Sequence, residues 1–523
     1  MRILRLLFPL LLAATAVSAA AAQQSPTLSQ AVARLVDTPR YAHASFGIAV
    51  YDLDQRRMLY ARNAEQLFVP ASTTKTLTEG TALGVLGPDF RFTTPVYRTG
   101  PVDSSGVLHG DLVLVASGDP NLSQRIQPDG TLAFENEDHA YDGSPDTKAV
   151  PGDPLAVLRE LAKQVAARGI RSVTGRIVVD ASLFPDGGAE GGTGTEVSPI
   201  ILNDNIVDVI VAPGASIGST VTIASISPQT PYARFVNVAT TVAAHTDDTL
   251  TMTDADDGHG GRVVTISGVV AANDPPTLYA YRVSNPPRFA EDAFALALRD
   301  AGVSVSDPPI DGAFERASYA PSYVPANLVA QHVSPPLREE VKVTLKVSDN
   351  LHAAEMPYLL GVYAGHATHD QLQAGFDVES AFLKRAGLDL SGASQSDGEG
   401  ANDYFAPSFM VSYLAWVRTQ PWYPDFYRAL PILGVDGTLA EIQTQAPARG
   451  MVHAKTGTWG WSNLLSHGTI ISKGLAGYVT TRGGRHLAFC LYVNDAAFAH
   501  DVSGGTVAGQ LLGAIANAIY LYE

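Results

Sequence analysis

A change of pattern along the chain most constrains how it can fold. From residue 96 to 285 the sequence is a series of short Val-, Ile- and Thr-rich runs, among them Leu112–Val115, Arg176–Val179, Ile206–Val211, Val221–Ile223 and Val263–Ile266. Gly, Asp and Pro punctuate them, so the region reads as β-rich. One helix interrupts it, from Pro154 to about Arg168, with Leu155, Leu158, Leu161 and Val165 at helical spacing. The flanking segments read differently. Residues 28–95 open with a helix, pass through the strand-like run Phe46–Tyr51 and a turn at Asp54–Arg57, and reach a second strand. A helix then runs from Ser72 to about Leu86, with Pro70 and Ser72 as its start signals. Beyond 286 the best helices are Ala290–Ala301 and Pro336–Tyr363. Two strands follow, Gly474–Thr480 and Arg485–Val493, turning at Gly483-Gly484, and then an apolar helix, Thr506–Tyr520, which reads as core packing.

The N-terminus carries Arg2 and Arg5, an apolar run from Leu6 to Val17, and small residues that offer cleavage sites after Ala19 or Ala22. This is the pattern of a secretory signal peptide over residues 1–22. The run is short for a membrane span of roughly 20 residues. The mature chain is therefore expected in the periplasm or another extracytoplasmic space, and not as an integral membrane protein. A formal net charge of -17 argues against nucleic acid as a partner. Cys490 is the only cysteine, so no internal disulfide forms. Its apolar neighbours, Leu487–Val493, make it a buried strand residue.

Three short segments carry chemistry. In Ser72-Thr73-Thr74-Lys75 a helix puts the Lys75 amine within one turn of the Ser72 hydroxyl. A hydroxyl becomes a nucleophile when a base takes its proton, and a lysine is that base only if its pKa is lowered. In Ser348-Asp349-Asn350, an extended or loop segment aims a hydroxyl and an amide into one cleft, one to relay a proton and one to orient a carbonyl. The same three residue types also favour a helix break or cap. In Lys455-Thr456-Gly457, a strand offers a cation and a hydroxyl to a carboxylate, and Gly457 leaves room for an extended substrate along the edge. Each segment alone is a weak signal. Their conjunction, in this order on an exported chain, is the triple set of penicillin-binding proteins and class A β-lactamases.

The wide spacing from Ser72 to Ser348 narrows this further. With Pro70–Lys75, Gly118-Asp119-Pro120, Gly434–Leu439 and Ala454–Thr458, the chain resembles the D-alanyl-D-alanine carboxypeptidases/endopeptidases of the penicillin-binding protein 4 type (DacB, peptidase family S13) over nearly its whole mature length. The resemblance implies an α+β fold, a penicillin-binding/serine β-lactamase-like catalytic domain of helices on a five-stranded antiparallel sheet, with a large β-rich insertion. Residues 23–95 and 286–523 would form the catalytic domain and 96–285 the inserted part. It also implies cleavage of peptidoglycan stem peptides and cross-links through an acyl-serine, and binding of β-lactams, without cofactor or metal. Ser72 would be the nucleophile, Lys75 the base and Ser348 the proton relay. Asn350 would hold the acyl-side amide. Lys455 and Thr456, with Gly457 beside them, would hold the terminal carboxylate, and the N–H groups of Ser72 and Thr458 the oxyanion.

One departure is visible. The family often has an Asp-Gly-Ser-Gly-like turn, which here reads Asp397-Gly398-Glu399-Gly400. Glu399 is expected as a solvated turn residue, or else as a change in substrate preference. No Glu-x-x-Leu-Asn segment lies between Asn350 and Lys455, where class A β-lactamases place their deacylating glutamate. A β-lactam is therefore expected to acylate Ser72 and stay. His352 and His453 lack metal-ligand spacing and read as packing or surface residues. Two alternatives remain: a serine β-lactamase or esterase of the same fold, and a non-catalytic wall- or partner-binding protein built on the insertion.

Overall fold

The computed structural model describes residues 27–306, 312, 314–500 and 502–523, so the leader expected at residues 1–22 lies outside the described residues. Its organising element is a five-stranded antiparallel sheet built from both ends of the chain. The strands are β1 (Ser45–Asp52), β2 (Arg57–Arg62), β3 (Val452–Asn463), β4 (Gly468–Thr480) and β5 (His486–Phe498). Their order across the sheet is β2-β1-β5-β4-β3. β1 pairs with β5, with Ala49 opposite Cys490, so the N-terminal hairpin and the C-terminal meander close one sheet.

β5 shows why Leu487–Val493 is apolar without alternation. Leu487, Phe489, Leu491 and Val493 pack into a core with the helices α1 (Leu28–Val36) and α6 (Gly504–Tyr522). Ala488, Cys490 and Tyr492 face the opposite core, formed by helices that include α2 (Lys75–Val85), α3 (Leu337–Val347), α4 (Asn350–Tyr363) and α5 (Pro407–Val417). A strand covered on both faces needs apolar residues at every position. Each fully buried side chain of this kind contributes about 1.5–3 kcal/mol. Cys490 is wholly buried, and burial pushes its thiol pKa up, so it stays a neutral packing group.

Two local departures from the predicted helices shape the site. The helix expected from Ser72 begins as a 3-10 turn, Ala71–Thr74, before α2. In such a turn residues i and i+3 eclipse, which favours the Ser72–Lys75 approach. The predicted helix Pro336–Tyr363 is two helices. α3 ends at Val347, Ser348 takes a left-handed conformation (φ 67°), and Asp349 caps α4 by accepting from His352 N at 3.0 Å. For a residue with a Cβ, that conformation costs about 1–2 kcal/mol.

Residues 93–333 contain a four-stranded sheet and further smaller sheets, so the β-rich part reaches beyond 96–285 to the strand Leu328–Val333. In the four-stranded sheet, Thr93–Arg98 lies between Leu328–Val333 and Leu112–Val115, and the latter pairs in parallel with Ile177–Asp180. Ala156–Ala167 and Pro286–Asp300 supply Leu158, Leu161, Phe289 and Phe294 to its core. Pro286–Asp300 thus packs with the β-rich region, although the sequence pattern groups it with the segment that follows. The pairing of Leu328–Val333 with Thr93–Arg98 draws the chain back to its point of departure.

Candidate active site

The 3-10 turn, the α3–α4 break and β3 meet at a cleft of about 820 Å³, whose lining includes Ser72, Ser348, Asn350, Thr456 and Thr458. Lys75 is fully buried behind it. Its Nζ lies 2.9 Å from Ser72 Oγ, 2.8 Å from Ser348 O and 3.4 Å from Ser348 Oγ, and it donates to Asn350 Oδ1 at short range. Burial lowers its pKa to about 8, against the opposing pull of Glu399, Asp349, Glu190 and Asp397. The lowered pKa makes the neutral amine, the form a base needs, far more abundant than in an ordinary lysine.

Lys455 approaches Ser348 from the other side. Its Nζ donates to Ser348 Oγ at 2.7 Å and to Thr456 O at 2.9 Å. Burial, with Lys75 and Lys473 nearby, holds its pKa well below the ordinary lysine value. The Ser348 hydroxyl thus sits between two amines. Thr456 donates to Thr438 Oγ1 at 2.7 Å. Gly457 has a packing reason beyond substrate access. A Cβ there would stand 2.4 Å from Pro70 O and 3.1 Å from Ser72 N, so only a glycine lets β3 lie against the 3-10 turn. β3 is an edge strand of the sheet. Residues 431–433 cover its outer side at Val452 and Ala454, through Leu433 N to Val452 O and Ala454 N to Pro431 O.

The expected residues therefore converge, and four others join them. Lys473 lines the cleft opposite Thr458 on β4, donates to Thr458 Oγ1, and has its pKa lowered to about 8 by burial. Its signal in the sequence is a lone cation in the strand Gly468–Thr480. Thr438 belongs to the Gly434–Leu439 stretch, which Lys346 fixes through Asp436 at 2.7 Å. Tyr141 and Glu190 come from the inserted region, in loops without any periodic pattern to mark them.

Glu399 is not a solvated turn residue. It is buried at the cleft wall, accepts from Gly191 N at 2.6 Å and pairs with Glu190. Burial and the Glu190 carboxylate raise its pKa to about 8. Glu190 is also buried, but hydrogen bonds from Glu399, Thr193, Gly192 and Thr195 outweigh that and keep its pKa low. The contact ties the Glu190–Thr195 loop to the Asp397–Gly400 turn. His352 is buried, with Nε2 3.0 Å from Asp204 Oδ1. Burial opposes its charge, yet Asp349 and Asp204 push its pKa up to about 10. His453 stacks on Tyr427 at 4.1 Å, a packing role.

Among the described residues no helix is long and apolar enough to cross a membrane. The chain is 28% identical over 478 residues to the D-alanyl-D-alanine carboxypeptidase of Actinomadura sp. (strain R39), covering 87% of this chain and 81% of that protein. It is 23% identical over 468 residues to D-alanyl-D-alanine carboxypeptidase DacB of Haemophilus influenzae, covering 86% and 85%. The fold is similar to the crystal structure of penicillin binding protein 4 (dacB) from Haemophilus influenzae, with a TM-score of 0.71 at 21% identity over 95% of this chain and 100% of that one. The family model of the D-Ala-D-Ala carboxypeptidase 3 (S13) family matches residues 28–510, and the chain belongs to that family.

Proposed function

We propose that the protein is a serine-type D-Ala-D-Ala carboxypeptidase and DD-endopeptidase that acts on peptidoglycan stem peptides through an acyl-Ser72 intermediate. The observation that carries this reading is the arrangement around Lys75. A neutral amine has two hydrogens and one lone pair. With the hydrogens on Ser348 O and Asn350 Oδ1, the lone pair faces Ser72 Oγ at 2.9 Å.

Ser72 Oγ attacks the carbonyl of the penultimate D-Ala and passes its proton to Lys75. The N–H groups of Ser72 and Thr458 hold the oxyanion, a role supported by the close approach that Gly457 permits. Ser348 Oγ, between Lys75 and Lys455, relays the proton to the leaving amine. The C–N bond breaks, D-Ala departs, and water cleaves the acyl-serine by the reverse route. The Asn350 amide holds the acyl-side carbonyl. Thr456, Thr458 and Lys473 take the terminal carboxylate in the cleft, and Lys455, buried behind them, acts through its hydrogen bond to Ser348. A β-lactam presents the same carbonyl and carboxylate. When its ring opens, the leaving amine stays tethered to the acyl-serine and does not depart as D-Ala does, so a penicilloyl adduct persists. The wall substrate and the leader pattern at residues 1–22 both support an extracytoplasmic location.

Intact mass after incubation with penicillin is expected to show one adduct, absent in Ser72→Ala. A pentapeptide-bearing muropeptide is expected to lose D-Ala. If the wild type releases no D-Ala and cleaves no cross-linked dimer, the reading fails.

A further inference from the structure

Tyr141 belongs to the inserted region, yet its hydroxyl enters the catalytic cleft. It donates to Ser348 O at 2.6 Å and lies 3.1 Å from Asn350 Oδ1. These are the same two oxygens that accept from Lys75. The segment around Tyr141 is fixed on both sides. Asp138 binds Arg125 at 2.7 and 2.9 Å, and His139 stands between Asp204 at 2.8 Å and Asp208 at 2.9 Å. Asp142 takes Arg282 and Ala280 N, each at 2.9 Å. The phenol is thus presented rigidly. Burial and the neighbouring Asp349 and Glu190 carboxylates raise its pKa well above the ordinary tyrosine value, so it stays a donor.

A carbonyl oxygen has two lone pairs and can accept from both groups, but each donor weakens the oxygen's pull on the other. Without the phenol, the Ser348 carbonyl would pull harder on the Lys75 amine and favour its ammonium form. The Ser348 carbonyl, at a left-handed break, would also lose one of its two side-chain donors. We propose that Tyr141 is a positioning residue that the insertion supplies to the catalytic site: by donating to the Ser348 carbonyl that Lys75 also uses, it steadies the Ser348 break and keeps the Lys75 amine free to serve Ser72. This rests on the acyl-serine reading above and deepens it.

The other groups facing Lys75 stay constant when only the phenol oxygen is removed. They are Glu79 on its own helix, Asp349 at the break, Lys455 on β3, Glu190 in the insertion, and Asp397 and Glu399 in the turn. Carbon-13 NMR of lysine-labelled protein, with the Lys75 signal assigned by its loss in Lys75→Arg, follows the titration directly. In Tyr141→Phe the Lys75 midpoint is expected to rise by roughly half a unit to one unit, the equivalent of one hydrogen bond. Tyr141→Leu should move it the same way. The acid limb of penicillin acylation should shift with it, lowering the rate about 3- to 10-fold below the midpoint and less above it. An unchanged Lys75 midpoint in both folded variants, or an equal loss of acylation at every pH, overturns the proposal. A wild type that forms no Ser72 adduct would count against the acyl-serine reading alone, because the NMR titration still decides the role of Tyr141.

Discussion

Asp204 accepts from His352 Nε2 at 3.0 Å, and this contact joins the inserted region to the helix that begins at the Ser348-Asp349-Asn350 motif. Asp204 also takes Arg125 at 2.7 Å and His139 at 2.8 Å. It lies in a run of three left-handed residues, Asn203, Asp204 and Asn205. Asn and Asp tolerate that conformation better than other residues with a Cβ. The segment that carries Arg125, His139 and Asp204 is therefore wired to the Ser348-Asp349-Asn350 triplet by a buried ionic network rather than resting beside it.

Asp204→Asn should be strongly destabilising. It leaves Arg125, His139 and His352 buried without their shared anion, and breaking a buried ionic contact from one side costs about 3–5 kcal/mol. The urea midpoint of unfolding and the rate of penicillin acylation should both fall. An unaltered midpoint would show that the network contributes little.

Lys473→Met separates the cleft ammonium from the buried Lys455. Loss of one charged hydrogen bond to the substrate carboxylate should lower kcat/KM for a D-Ala-D-Ala-ended peptide about 10- to 100-fold. A peptide ending in a carboxamide has no carboxylate to lose and should be cleaved equally by both proteins. Steady-state kinetics on the two peptides makes the comparison.

Stability should fall as pH rises. Burial raises the pKa of Glu79, Glu379 and Glu399 to about 8, above the unfolded value near 4.5. The folded state thus binds more protons than the unfolded state across this window. The stabilisation is complete below the unfolded pKa and is lost as pH climbs through about 8. Glu379 lies outside the cleft lining, so Glu379→Gln should flatten the slope without removing a catalytic group. Thermal midpoints between about pH 5 and pH 9 test this. A wild-type curve that is level, or that rises, would contradict it.

The convergence of Ser72 with Lys75 and the strand runs were legible because each is a local pattern: hydroxyl and amine one turn apart, or seven apolar residues in a strand covered on both faces. The break at Ser348 was harder to read, since Pro336–Tyr363 has helical composition throughout and only the Ser-Asp-Asn triplet marks the interruption. Tyr141 and Glu190 were not legible at all. They reach the cleft from loops of the insertion, and their positions are set by contacts far along the chain, such as His139 with Asp208 and Glu399 with Gly191 N. Glu399 looked like a surface turn residue because its burial depends on that same insertion loop. Lys473 carried a signal, a charge in an apolar strand, but nothing local shows which face of the sheet it occupies.

The pairing of β1 with β5 has a consequence for the life of the molecule. Ser72 emerges early in synthesis, but the strand that flanks its sheet and the strand that carries Lys455 come from the last hundred residues or so. The inserted region, closed by the pairing of Thr93–Arg98 with Leu328–Val333, can complete its own main sheet before then. A nascent chain thus holds an unarmed serine until β3 and β5 have been made, and hydrolytic power appears only when they close the sheet around it.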